Sequence, residues 1–199
     1  MLIFGAGGHA KVVLEVLQSK DVEVLAIIGK NESVQKLEGI PIYSECPPDF
    51  HPDSSLIVAI GDNQIRKKIV GETTHGFGRA IHTSALVSPH STIGEGAMIM
   101  HNAVIQTGSQ IGRHVIINTH ASVDHDCTIG DFVHISPNTT LCGGITIGEG
   151  SFIGAGSVII PNISVGEWSV IGAGSVVVED IPSHCMAVGN PAKVIKKFN

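Results

Sequence analysis

His125 stands between two carboxylates, Asp124 and Asp126. An imidazole with its ordinary pKa near 6.5 is largely neutral at pH 7 and can take a proton. A carboxylate on the other ring nitrogen fixes the tautomer and stabilises the imidazolium that forms. The triplet is therefore a candidate general base, suited to an acyl transfer in which an amine must lose a proton to become a nucleophile. The competing reading is three solvated surface residues. The chain has 11 histidines, and most must be bystanders. A second candidate segment is Gly5-Ala6-Gly7-Gly8-His9-Ala10, directly after the apolar run Leu2-Ile3-Phe4. Glycines there let a backbone approach phosphate oxygens at a helix N-terminus. They serve equally well in a tight turn with no ligand.

The elements that must position these residues fall into two halves. From Val87 to Val177 an aliphatic residue recurs every six positions, which neither a 3.6-residue helix nor a simple strand explains. Glycine follows the aliphatic at Gly94, Gly112, Gly130, Gly148 and Gly166, eighteen residues apart. Three hexads thus make one turn of a three-sided coil. Its repeated glycines predict a corner with positive φ or a tight bend. Four residues after most aliphatics comes a second small or branched residue, so the interior is thin. About five coils at the ~4.8 Å strand spacing give a prism roughly 25 Å long. Val123 and Cys127 are the inward positions of their hexad, so the coil itself needs nothing of residues 124–126. Residues 179–199 break the rule where an end cap belongs.

The first 80 residues read as strand, glycine turn, helix, strand: Leu2–Phe4, a helix carrying Ala10, Val12, Val13, Val16 and Leu17, then Val24–Ile28. Leu56–Ile60 is a third strand and Asn63–Val70 a helix with Ile65 and Ile69 on one face. This is a small, parallel, Rossmann-like α/β domain. Ligands of such sheets bind at the carboxyl ends of the strands, so loops 5–10 and 60–66 should converge on one crevice. The second strand ends Ile28-Gly29-Lys30 with no carboxylate at its tip, so NAD is not the expected ligand. The expected domains are 1–80 and 81–199.

The formal charge of −6 and the lack of a basic run argue against a nucleic-acid partner. No apolar stretch approaches a membrane span. The four cysteines are scattered without pairing or metal spacing. The expectation is a soluble cytoplasmic protein without a metal.

The repeat [LIV]-G-x-x-[STAV]-x resembles the hexapeptide-repeat family of left-handed parallel β-helices. With GAGGHA and the Ala59–Lys68 segment AIGDNQIRKK, the whole chain resembles sugar acetyltransferases. These are bacterial nucleotide-sugar N-acetyltransferases and sialic acid O-acetyltransferases. Asp62 and Gly29 depart from the asparagine and the acidic residue common in the first group. The resemblance implies an acetyl-CoA-dependent enzyme, a homotrimer with the cofactor in a groove between adjacent β-helices. It implies N-acetylation of a nucleotide-linked amino sugar, expected to be a UDP-4-amino-4,6-dideoxy sugar. The alternatives are O-acetylation of sialic acid or another sugar, or a non-enzymatic scaffold or ligand sensor.

By match, Gly7, Gly8 and His9 lie near the sugar or diphosphate, and Ile60, Gly61 and Asn63 line the nucleotide pocket. The segment Asn118–Cys127 (NTHASVDHDC) matches the family's catalytic stretch. His125 falls on the base, Asp126 on its carboxylate and Asn118 on a contact to the acceptor sugar. Asp126 is shorter than the glutamate of some members, so a direct contact or a bridging water are both open. His134 matches a histidine near the acetyl group; its alternative is an outward polar residue. Gly143, one coil after His125, is the candidate oxyanion donor. Lys193, in the segment VGNPAK, matches an element near the CoA nucleotide.

Overall fold

The structure is a computed structural model that describes residues 1–29, 35–46 and 50–198. Lys30, which the sequence places at the tip of the second strand, lies outside them. The first unit is a sheet of strands β1 (Leu2–Phe4), β2 (Ala26–Ile28), β3 (Lys36–Leu37), β4 (Ile40–Tyr43) and β5 (Leu56–Val58). Their spatial order is β3-β4-β2-β1-β5. Strands β4, β2, β1 and β5 run parallel, and β3 adds an antiparallel edge that the sequence pattern did not signal. Helices α1 (Gly8–Gln18) and α2 (Asn63–Glu72) accompany it. On α1 the expected Ala10, Val13, Val16 and Leu17 are buried, Leu14 joins them, and Val12 is only half-buried. On α2 the expectation holds for one residue of two: Ile69 is half-buried against the sheet, but Ile65 is 52% exposed, and the buried residues are Asn63 and Arg66. The helix sets Ile69 and Val70 against the apolar sheet cluster of Leu2, Leu56 and Val58, while Asn63 and Arg66 turn toward backbone carbonyls.

The second unit is a parallel coil. It starts at β6 (Ala80–Ile81) and continues through two-residue strands from β7 (Leu86–Val87) to β22 (Val176–Val177). Every third strand joins the same face. The first face has eight strands, the second six and the third five. The second residue of each strand points inward; Ile99, Ile117, Val123, Ile135, Ile153 and Ile171 are all fully buried. The small inward residues include Ser109, Ser151 and Ser157, each 0% exposed, whose hydroxyls donate to carbonyls of the next corner at 2.6–2.9 Å. A buried hydroxyl is tolerated because it is bonded.

Eight strands on the first face exceed the five coils expected, for two reasons. Ala80–Ile81 adds a rung before the repeat begins, pairing with Met98–Ile99. At the other end β23 (Cys185–Gly189) continues that face in parallel, and β24 (Ala192–Lys197) turns back against it. This hairpin is the cap.

The glycine corner is also corrected. Positive φ recurs every sixth residue from Gly96 to Gly174 through Asn102, Gly108, His114, His120 and Asp126. Gly94, Gly112 and Gly130 stand two residues earlier and are not among the positive-φ residues. They are glycine because a Cβ would fall 2.6–2.8 Å from atoms of the next coil, mostly its backbone. Close stacking, not turn geometry, selects them.

The outward column of the first face reads Ala80, Met98, Ile116, His134, Phe152, Val170. The first three are fully buried, because they share one core with Ile3, Val13, Leu14 and Ile57 of the α/β unit. That unit therefore sits on the first face. His134 lies at its margin, and the last two residues emerge beyond it.

Candidate active site

His125 and Asp126 occupy the corner between the second and third faces. Asp126 has φ 58°, and its Oδ2 accepts from Nδ1 of His125 at 2.8 Å. The contact is direct, without a bridging water. Asp124 Oδ1 accepts the His125 backbone N–H at 2.8 Å. The hydrogen bond to Asp126, then the charge of Asp124, hold the imidazole above its ordinary pKa of 6.5. With Nδ1 bonded to a carboxylate, Nε2 is the free acceptor. It rests on Gly143: a Cβ there would fall 2.6 Å from both Cε1 and Nε2. Among the described residues the Gly143 N–H meets no acceptor. Gly108, one coil earlier, leaves room for the Asp126 carboxylate in the same way.

A second group gathers at the edge of the α/β unit. Strands β1 and β5 are neighbours, so loops 5–10 and 60–66 do lie side by side, with Ala59 N–H donating to Phe4 O at 2.7 Å. Gly7 and Gly8 are exposed at the start of α1, which has no side-chain cap. Among the described residues a Cβ on Gly7, Gly8 or Gly61 would meet nothing within 4 Å, and none of the three has positive φ. The fold does not require glycine there. Among the described residues the buried Nε2 of His9 has no hydrogen-bond partner. Its pKa is pushed down to about 4, first by burial and then by the charge of Arg66.

His134 is 8% exposed and lies between Gly61 O, 3.2 Å from Nδ1, and Asn118 Nδ2, 3.1 Å from Nε2. Burial is the first cause that pushes it to about 4 as well. It is an outward residue of the coil, as one reading had it, but covered. Asn63 lines a groove beside it, yet its amide is engaged throughout. Nδ2 donates to Gly150 O and Ser151 O at 3.0 and 3.2 Å, and Oδ1 accepts from Arg66 at 2.8 Å. Ile60 likewise presents its carbonyl to Arg66 at 2.8 Å.

Within one chain these two groups stay apart. Gly7, Gly8, His9, Gly61 and His134 belong to the first face, and His125, Asp126 and Gly143 to the edge opposite it. Asn118, at the corner of the first and second faces, joins the first group through His134. Lys193 extends on exposed β24, and its Nζ lies 3.4 Å from Glu179, a residue of the same edge as His125 two coils beyond Gly143.

Two features escaped the sequence. Arg66 is fully buried and donates to five groups of both units. In the string IRKK nothing distinguishes it from the solvated Lys67 and Lys68. The other is a groove of about 1100 Å³ on the first face, lined by Gly61, His134, Phe152, Trp168, Val170 and Phe198 among others. Trp168 and Phe198 become neighbours only through the coil and cap. Among the described residues no three metal-ligating side chains gather, and no helix is long and apolar enough to cross a membrane.

The three-sided hexad coil is the fold of the hexapeptide-type transferases. Residues 90–125, 108–143, 126–161 and 144–178 match the bacterial transferase hexapeptide (six repeats), which makes the coil a left-handed parallel β-helix. Residues 1–73 match the PglD N-terminal domain. Perosamine N-acetyltransferase from Caulobacter crescentus, solved as a histidine-to-asparagine mutant with CoA and GDP-perosamine, is 38% identical, with TM-score 0.91 over 98% of this chain and 96% of that one. The acetyltransferase domain of PglB from Neisseria gonorrhoeae FA1090, solved with acetyl coenzyme A, is 37% identical, with TM-score 0.92 over 98% of each chain. UDP-N-acetylbacillosamine N-acetyltransferase of Bacillus subtilis (strain 168) is 39% identical over 102 residues, 46% of this chain and 46% of that protein. The match thus spans less than half the length of that curated relative. The chain belongs to the family of hexapeptide-repeat sugar N-acetyltransferases, and it is an acyltransferase.

Proposed function

We propose that this protein transfers the acetyl group of acetyl-CoA to the amino group of a nucleotide-linked amino sugar, with His125 as general base. The observation that carries this reading is the 2.8 Å bond from Asp126 to Nδ1 of His125, which leaves Nε2 free over a corner cleared by Gly143. The sugar amine attacks the thioester carbonyl, and Nε2 takes the proton that the nitrogen sheds. The tetrahedral intermediate expels the CoA thiolate, and the imidazolium returns the proton to it. The unengaged N–H of Gly143 is the oxyanion donor. Base assistance of this kind is worth roughly 10²–10⁴-fold.

The active unit in this reading is a homotrimer. The outward column of the second face reads Leu86, Val104, Ser122, Thr140, Val158, Val176, and Leu86 is 67% exposed. On the third face the column is Thr92, Gln110, Thr128, Thr146, Ser164, which suits water. An apolar face left bare is the one expected to meet another copy. That face lies between the His125 edge and the Asn118 corner. Packing it around a three-fold axis carries His125 of one copy toward Asn118 and His134 of the next. Acetyl-CoA then lies in the seam, its acetyl group beside His134 and Gly143 and its nucleotide toward Lys193.

The acceptor is bound by its nucleotide at Gly7, Gly8, His9, Ile60 and Gly61, with Asn63 bracing that loop and Asn118 on the sugar. A UDP-linked 4-amino-4,6-dideoxy sugar is the substrate we favour, in keeping with the curated relative's name. A soluble cytoplasmic enzyme fits both substrates. Thiol release from acetyl-CoA with UDP-, GDP- and dTDP-linked 4-amino sugars, against free sialic acid, tests this. Turnover with an amino sugar nucleotide is expected. Turnover with sialic acid alone would overturn the reading.

A further inference from the structure

We propose that Arg66 is a positioning residue, which fixes the hydrogen-bonding direction of His134 and Asn118 through the carbonyl of Gly61. The role of Asn118 on the acceptor sugar rests on the function proposed above; the hydrogen-bond relay does not.

Arg66 is 0% exposed and has no carboxylate partner among the described residues. The charge of Asp62 favours the cation but makes no ion pair with it. A buried cation without a paired carboxylate is expensive, and an apolar side chain would fill the same volume at lower cost. What the guanidinium supplies is its five-donor fork. Nη1 donates to Ile60 O and Gly61 O at 2.8 and 3.3 Å. Nη2 donates to Asn63 Oδ1 at 2.8 Å and Phe132 O at 2.7 Å, and Nε to His114 O at 2.9 Å. Three acceptors lie at the start of α2 and two on corner residues of the β-helix. One side chain therefore locks the 60–63 segment to the coil.

Gly61 O joins Arg66 to His134. A carbonyl only accepts, so His134 Nδ1, 3.2 Å away, must carry the hydrogen. The neutral ring then offers Nε2 as an acceptor, and Asn118 must turn its Nδ2 toward it, at 3.1 Å. Asn118 Oδ1 faces the Thr119 N–H at 2.8 Å, which excludes the flipped amide. The series Arg66, Gly61, His134, Asn118 has one polarity only. It leaves one N–H and one lone pair of Asn118 for a ligand, in fixed directions. If Gly61 O turns away, His134 loses the partner that selects its tautomer, and Asn118 loses its orientation. The nearby positive charge also keeps His134 and His9 neutral, in addition to their burial.

The test is Arg66→Lys in the full chain, since a lysine keeps the charge but cannot reach five acceptors. Two readouts apply: the ¹⁵N spectrum of His134, and KM for the amino sugar nucleotide against kcat. The Nδ1–H signature of His134 is expected to give way to a tautomer mixture. The acceptor KM is expected to rise roughly 10-fold or more while kcat at saturation changes less. An unaltered His134 spectrum overturns the proposal, whatever substrate the enzyme proves to use. Should Arg66→Lys fail to fold, His134→Phe serves, because the next outward position of the column is already Phe152. It should reproduce the rise in acceptor KM, and a native acceptor KM there overturns the proposal equally.

Discussion

Gly143 lies against the imidazole of His125: a methyl group there would fall 2.6 Å from both Cε1 and Nε2. The position has no positive φ to excuse a glycine, so the ring is what excludes a side chain. Gly143→Ala should push His125 off its Asp126 partner. A displacement near 1 Å costs about 10²-fold in turnover. Steady-state kinetics should show that loss in kcat, with the melting temperature little changed because His125 is exposed.

Asp126→Asn should both slow the enzyme and move its pH profile. The carboxylate is the first cause that raises the His125 pKa, and in the proposed mechanism the neutral ring is the base. Wild-type activity should rise with pH through a midpoint above 6.5. In the variant that midpoint should fall, while the plateau drops by roughly 10²–10⁴-fold. A pH–rate profile checks both; an unmoved midpoint would sever the link between the two residues.

Gly8→Ala separates ligand approach from folding. Among the described residues its Cβ would meet nothing within 4 Å, and alanine is the better helix former. Thermal melting should be unchanged or raised slightly. Calorimetric titration should show weaker binding of the nucleotide sugar, because the methyl group occupies space above the open N-terminus of α1.

Acid should destabilise the chain over a defined window. His9, His114 and His134 titrate near 4 in the folded protein, each chiefly because of burial, against an ordinary 6.5. Between those values the unfolded chain binds protons that the folded chain refuses, so stability is lost as pH falls from about 6.5 to about 4. Above 6.5 the effect is absent. Melting temperatures across pH 4–8 should show the decline, and His134→Phe should make it shallower.

The two units differed in how much their sequence disclosed. A sixfold repeat of branched residues has one physical solution, so the coil, its inward positions and the exposed triplet at Asp124–Asp126 were readable from residue types alone. Arg66 was not, since a buried arginine differs from Lys67 only in what packs above it. His134 was half readable: its outward direction follows from the repeat, but its burial depends on the α/β unit covering the first face. The corner glycines were found for the wrong reason, because stacking distance leaves no trace in the spacing. The separation of His9 and Gly61 from His125 needed the face assignment of each strand.

That separation makes subunit complementation the most direct measurement. His125→Ala and Asn118→Ala chains, each expected to be strongly impaired alone at sub-saturating acceptor, are unfolded, mixed and refolded together, then assayed with acetyl-CoA and the amino sugar nucleotide below saturation. If one copy lends the base and its neighbour the acceptor residues, mixed assemblies contain intact seams, and activity should return well above either parent. Mixed assemblies that form yet stay as impaired as the parents would contradict the account.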